Sequence, residues 1–404
     1  MAEPATGAPA RNPLLGWFLA GIGSWSLSAG IQQVVFTWLV VGALHESPDR
    51  VGVAQMCLTA PNLLFILFGG LLADRAELRR LLVTLHVVAA ASALVLATLV
   101  STDRVRFEVL LLYAVGWGTI QAFGAPARDA MLSHLGLRDL MRAVTAVTLV
   151  LFSGIAVGSR LGGLGAEIGT PAVLGFQAAV VLAGILAVAR LPRVPPLRHE
   201  TGAPTRLAAI REGLLEVRRS PRLFPVALLV TGNGLFFMGP FNVLVPLILR
   251  EHYGGGMELL SSVLMVLPLG TIAGSLAVLL RGGVGRKGVV FLVALFGVSG
   301  CLLVIAARPP YPVLLAAIFA WGIFHSLFFN TSRTLFQEFA PPGLRARVLS
   351  VHAVGFLGMA PISHFGAGML AEAIGPLGGC AFSALAMIAA TGWAALATPV
   401  RRLA

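Results

Sequence analysis

Apolar residues run through this chain in long blocks rather than in the one-sided stripes of a soluble helix. Twelve stretches are mostly apolar: 14–43, 51–73, 80–101, 107–132, 141–167, 171–190, 223–249, 258–280, 288–306, 312–336, 346–372 and 376–398. A helix needs about 20 such residues to cross the hydrocarbon layer of a membrane. Each stretch therefore predicts a membrane span. The first is longer than the apolar core of a signal peptide, which predicts a retained span behind a short polar segment, 1–13. The longest polar segment, 191–222, divides the spans six and six. It carries Pro192, Pro195 and Pro196, then places Leu207, Ile210, Leu214 and Val217 on one helical face with arginines elsewhere. That pattern predicts a linker and an amphipathic helix, lying on the membrane surface or packed on the ends of the bundle.

The two halves, 14–190 and 223–398, repeat weakly at an offset of 205 residues. Phe123-x4-Arg128 returns as Phe328-x4-Arg333, and Ala166-Glu167 as Ala371-Glu372; Ser28 and Thr37 fall on Asn233 and Asn242. A parallel duplication of six spans is a transporter architecture, with the substrate path between the halves. The expected fold is an all-α polytopic membrane protein of two six-helix bundles, with a short tail, 399–404.

Charge decides the orientation. Placing the N-terminus in the cytoplasm puts 23 of the 29 lysines and arginines on the inner side and five on the outer, with Arg160 alone inside a span. Cytoplasmic loops are rich in Lys and Arg, so both termini are expected inside. The net charge of +12 then reports topology and needs no nucleic acid. Charged residues make up only 11% of the chain, against about 25% in soluble domains, which excludes a soluble enzyme or a disordered regulator. Cys57, Cys301 and Cys380 stand singly, without the spacing of a disulfide framework or a metal site. No cofactor is implied.

The loop after the second span reads Gly69-Gly70-Leu71-Leu72-Ala73-Asp74-Arg75-Ala76-Glu77-Leu78-Arg79-Arg80. A carboxylate at a helix end beside three cations can hold helix ends together in one conformation and release them in another. The Gly-x-x-x-Asp-Arg order resembles the loop 2–3 signature of the major facilitator superfamily. That resemblance assigns Gly70, Asp74 and Arg75, with Arg79 and Arg80, to bracing the inner helix ends. Glu77 stands where the family usually has glycine. In the fifth span, Gly154, Gly158, Gly162 and Gly163 make a smooth face for close helix approach. The run resembles the family's antiporter motif, with Ser159 where proline is usual, and implies an outer seal between the halves of an exporter. Pro126-Ala127-Arg128-Asp129-Ala130-Met131-Leu132, and Arg211-Glu212-Gly213-Leu214 before the seventh span, resemble the branch of enterobactin-exporter-type and macrolide-efflux-type permeases.

Ionisable groups inside spans are costly and mark function. Arg160 has four readings: contact with an anionic part of a substrate, a carboxylate pair that breaks during gating, a permanent structural pair, or a head that snorkels outward. Glu167, seven residues on, and its repeat mate Glu372 are the carboxylates in question. The resembled family lines its cavity with spans 1, 4, 7 and 10. Those spans carry Ser26, Ser28, Gln32, Gln33, Gln121, Asn233, Asn242, His325 and Asn330, with Trp25, Phe36, Trp117, Phe236, Phe237 and Phe328 as an apolar wall. Gln32 and Gln33 point about 100° apart, so one is expected to face the path. No acid sits in the middle of a span. The proton-coupling candidates are Glu167, Glu372, His325 and His364, beside Asp74 and Asp129 near the inner ends; a histidine titrates near neutral pH. His86 is expected at the bundle periphery.

No Gly-x4-Gly-Lys-[Ser/Thr] loop is present, so by resemblance a proton gradient supplies the energy. The reading is a monomeric secondary exporter of a small amphipathic molecule, in a bacterial cytoplasmic membrane. An importer or facilitator of the same fold is the alternative.

Overall fold

The structure, a computed structural model, describes residues 13–135, 140–195 and 206–403, with side chains except at 66–75, 140–142 and 206–209. The polar segment 1–12 and the middle of the linker, Pro196 included, lie outside the described residues. So do the surroundings of Gly70 and the side chains of Asp74 and Arg75.

Every regular element among the described residues is a helix. The first half holds α1 (Pro13–Trp38), α2 (Pro48–Arg75), α3 (Leu78–Ser101), α4 (Phe107–Ser133), α5 (Leu140–Gly163), the short α6 (Gly165–Ile168) and α7 (Thr170–Val188). The linker helix is α8 (Arg206–Arg219). The second half holds α9 (Leu223–Gly239), α10 (Val245–His252), α11 (Met257–Leu280), α12 (Lys287–Ala306), α13 (Tyr311–Phe339), α14 (Arg345–Leu357) and α15 (Ala360–Ala397). Ten helical stretches among the described residues are long and apolar enough to cross a membrane. One of them, Pro342–Ala397, breaks at Gly375, whose φ of 75° is free for glycine and is followed by Pro376.

Within the first half, α1 packs on α5 and α7, α2 on α4, and α3 on α4 and α7. The second half repeats the scheme: α9 on α14 and α15, α11 on α13, and α12 on α13 and α15. Lipid offers no hydrophobic drive for such pairing, so close backbone approach must supply it. Gly30 and Gly158 show how: a Cβ on Gly158 would overlap the Leu27 carbonyl and lie 3.1 Å from the Gly30 Cα. Leucines facing outward are left bare, Leu396 at 81% and Leu186 at 70%, as suits a surface that meets lipid.

Two π-helical segments, Leu39–Ala43 after α1 and Pro240–Leu244 after α9, interrupt corresponding helices. Pro240 has no N–H for the helical ladder, which favours the wider turn there.

At the end bearing Pro13 and Ala397, the terminal end, Arg79 donates to the carbonyls of Ala189 (3.1 Å) and Leu191 (3.3 Å). A cation there satisfies the bare carbonyls that close α7. Arg80 meets Glu77 at 3.4 Å on the surface. The linker helix α8 packs on α14 and α9, with Val217 buried and Glu212 paired with Arg347. Leu214, on the same expected apolar face, is left 54% exposed.

His86 corrects an expectation. It is 2% exposed, bonded through Nδ1 to the Leu82 carbonyl (2.7 Å) and 5.2 Å from the Trp25 ring. The small Gly184 beside it leaves room for the imidazole inside the bundle.

Candidate functional site

Two adjoining cavities lie between the halves, and a third opens off them within the second half. The central one, about 310 Å³, is lined by α1 (Gln32, Gln33, Thr37), α2 (Gln55, Thr59, Asn62), α4 (Trp117, Gln121), the second π segment (Asn242) and α15 (His364). It shares Asn62, Gln121 and Leu357 with a cavity of about 390 Å³ towards the terminal end, where Arg128 and Asp129 stand. A side cavity of about 110 Å³ within the second half shares Met238 and Asn242 with the central one. The central lining carries amides, hydroxyls and one imidazole but no formal charge. Such groups orient a polar ligand without the cost of burying an unpaired ion.

Two hydrogen-bond networks organise these side chains. The first stays within the first half. Tyr113 donates to Gln32 Oε1 at 2.7 Å, and Gln177 Nε2 donates to Gln32 Oε1 and Ser28 Oγ, both at 3.1 Å. Gln32 Nε2 is left buried without a partner, as is Gln121 Oε1.

The second network crosses between the halves. Gln33 Nε2 donates to Asn242 Oδ1 at 3.3 Å. Asn242 Nδ2 lies 3.3 Å from His364 Nε2 and also donates to the Met238 carbonyl at 3.0 Å. On its other side, His364 Nδ1 lies 3.2 Å from the Gln55 carbonyl and 3.1 Å from Thr59 Oγ1. A carbonyl only accepts, and the Thr59 hydroxyl already donates to the Gln55 carbonyl at 3.0 Å. The network therefore assigns the neutral tautomer with its hydrogen on Nδ1, leaving Nε2 to accept from Asn242. Gln55 Nε2 donates to Thr37 Oγ1 at 3.1 Å and completes the chain.

Beyond these side chains the halves touch at the far end, opposite the termini. A Cβ on Gly52 of α2 would come within 2.8 Å of both the Gly368 Cα and the His364 carbonyl on α15. Gly163 of α5 lies against Ser261 of α11. Arg250, on α10, donates to the carbonyls of Val41 (3.3 Å) and Glu46 (2.9 Å). In the first turn of α2, ahead of the apolar stretch 51–73, the Asp49 carboxyl accepts from the Ser47 hydroxyl and is held below its usual range. The Arg250 contacts make a prediction. Arg250→Ala leaves both carbonyls without their charged donor, a loss of about 1.4 kcal/mol or more. Amide exchange over 39–46 should then rise about tenfold; unchanged exchange would show that Arg250 does not pin this loop.

The sequence-predicted residues divide accordingly. Gln33, Asn242 and His364 come together in one network. Gln32 and Gln33 both line the central cavity, where one was expected, because Gln32 bonds inward and Gln33 bonds across. Ser28 is held inside the first half; Asn233 and His325 line the side cavity; Asn330 is exposed and lines none of the three. Of the α5 glycines, Gly154, Gly158 and Gly162 face α1 within the first half, and Gly163 alone meets the other half. Arg160 Nη1 is buried without a hydrogen-bond partner, while Glu167 and Glu372 are exposed. No ion pair among the described residues joins Arg160 to either. Gln55, Thr59, Tyr113 and Gln177 escaped the sequence reading. They are polar residues in apolar spans, the signal applied elsewhere; Gln55 and Thr59 on α2 and Gln177 on α7 stood outside the cavity-lining set, whereas Tyr113 lies on α4, inside that set, and was passed over.

A profile of the Major Facilitator Superfamily matches residues 14–364. The Staphyloferrin A transporter of Staphylococcus aureus is 22% identical over 340 residues, which are 83% of this chain and 82% of that protein. Multidrug efflux pump Tap of Mycobacterium tuberculosis is 26% identical over 383 residues, 92% of this chain and 90% of that one. The crystal structure of nucleoside transporter NupG superposes with a TM-score of 0.70 at 14% identity, over 94% of this chain and 96% of that one, a likeness of fold. With its profile matched over most of its length, its helical pairing repeated in two halves and a polar cavity between them, the chain belongs to the Major Facilitator Superfamily.

Proposed function

We propose that this protein exports small amphipathic molecules in exchange for protons by alternating access, and that it is a transporter without enzymatic activity. Twelve spans form two six-helix bundles, 14–190 and 223–398, with both termini in the cytoplasm of a bacterium and the chain acting as a monomer. The 23-to-5 division of basic residues supports this orientation. The far end then faces outward, and its contacts close the outer side over a cavity that leads inward. A relative named as a multidrug efflux pump supports export, and one named as a transporter of staphyloferrin A supports a small-molecule cargo.

The observation that carries the reading is the Gln33–Asn242–His364 chain. His364 touches both halves through side chains, whereas Glu167 and Glu372 are exposed and His325 packs among phenylalanines of the second half. A proton arriving at His364 Nε2 turns an acceptor into a donor. Asn242 must then present Oδ1 to His364 and Nδ2 to Gln33, whose own Nε2 already points there. The joint between the halves survives only if Gln33 turns as well. We take a substrate to bind the amides in the orientation seen here, which a proton on His364 would reverse. That mutual exclusion is what exchange transport requires.

Proteoliposomes with an imposed pH gradient test this. Rhodamine 6G should accumulate against its gradient towards the acidic compartment and leak back when an ionophore collapses it. Indifference to the gradient would remove the exchange mechanism. A deletion strain with lowered uptake and untouched efflux would put an importer in its place.

A further inference from the structure

The side cavity beneath Asn242 holds features that the exchange mechanism leaves unused. We propose that it is a binding subsite for one planar aromatic ring bearing a hydrogen-bond acceptor, the polar remainder of the ligand lying in the amide-lined central cavity. The inference rests on the transport reading for its purpose and on the cavity's own chemistry for its specificity.

Size sets the first limit. The cavity measures about 110 Å³, and an apolar cavity of about 150 Å³ takes up benzene. The space is smaller than that, so it admits at most a single ring and never a whole drug-sized molecule.

The walls set the second. Phe237 and Phe241 meet Trp321 edge-on, with centroids 6.3 Å and 5.7 Å apart and planes at 71° and 76°. Phe356 closes another side and packs 5.9 Å from the His325 ring. Trp321 is 2% exposed, so the protein itself holds this wall in place. Faces and edges already set at right angles favour a further aromatic ring over a saturated one of equal size.

Polarity sets the third. Asn233 is 1% exposed, lines the cavity, and its Nδ2 has no partner. His325 Nδ1 is likewise buried and unpartnered. A buried donor without an acceptor costs about 1–3 kcal/mol, so an occupant that accepts from Asn233 recovers that loss. Aromatic boxes also attract cations. Here no carboxylate joins the lining, and the free amide presents hydrogens, which repel a cation. The cavity therefore selects a neutral ring with an acceptor.

Benzamide, cyclohexanecarboxamide and benzyltrimethylammonium separate these possibilities. Their binding to the full chain in lipid nanodiscs is read by saturation-transfer NMR. Benzamide should bind about fivefold more tightly than its saturated counterpart and more tightly than the cation. Asn233→Leu should weaken both carboxamides about fivefold, since each carries the carbonyl that would accept from Asn233, and should keep the preference for the aromatic one; Trp321→Leu should bring the two carboxamides level. Equal binding of the carboxamides to the unmodified protein, or preference for the cation, overturns the proposal without any variant having to fold. If benzamide shows no preference while rhodamine 6G is still exchanged for protons, the subsite alone fails. If benzamide binds as expected and no probe is moved, the transport reading alone fails.

Discussion

Valine at position 158 should cost the protein much of its folded first half. A Cβ there overlaps the Leu27 carbonyl and lies 2.9 Å from the carbon that bears it, so the obstacle is backbone of α1 rather than a side chain that can turn away. The same crossing is tight from the other side: a Cβ on Gly30 would sit 2.8 Å from the Ser159 nitrogen. Overpacking of ordinary cores costs about 1–3 kcal/mol, and a contact between two backbones has less room to relax. Gly158→Val is therefore expected to lose about 3 kcal/mol or more, a drop of roughly 6 °C or more in the thermal midpoint. Fluorescence-detected size exclusion after heating measures it. Gly116→Val is the matched control, since nothing lies within 4 Å of a Cβ at that position of α4. If both variants run as a single peak with the unmodified midpoint, close α1–α5 packing is not what holds the first half together.

Replacing His364 with glutamine should separate transport from the proton gradient. Glutamine keeps a donor and an acceptor for Gln55 and Asn242 but takes up no proton near neutral pH. Gradient-driven accumulation of rhodamine 6G should fall about tenfold, within the range of typical coupling free energies. Downhill exchange should stay within about twofold, and its dependence on pH should flatten. His325→Gln should leave the gradient response in place, because His325 makes no contact across the halves. A His364→Gln protein that still concentrates the probe as the unmodified protein does would assign the proton to another group.

Helix positions were legible to a fine degree. The apolar stretch 80–101 became α3 (Leu78–Ser101), and 107–132 became α4 (Phe107–Ser133). The gap left between 372 and 376 coincides with the break at Gly375. Less of the site could be read. His86 looked peripheral because nothing in its own span shows that Trp25 and Gly184 surround it. The α5 glycines looked like a seal between halves, yet three of them face α1. Their spacing specifies a smooth helical face and says nothing about which helix lies against it. Gln55 and Thr59 went unnoticed because their importance lies in meeting His364, some 300 positions away in the chain.

The amino-acid sequence by itself determined that this is a helical membrane protein and roughly where its helices run. Those properties are sums over neighbouring residues, and hydrocarbon enforces them one segment at a time. Only the tertiary structure decided which amide bonds across the halves, which stays within one bundle, and that an unpartnered Asn233 sits in an aromatic cavity. Those outcomes turn on the rotation of each helix about its axis and on the few ångströms that glycine contacts permit, which no local pattern of residues contains.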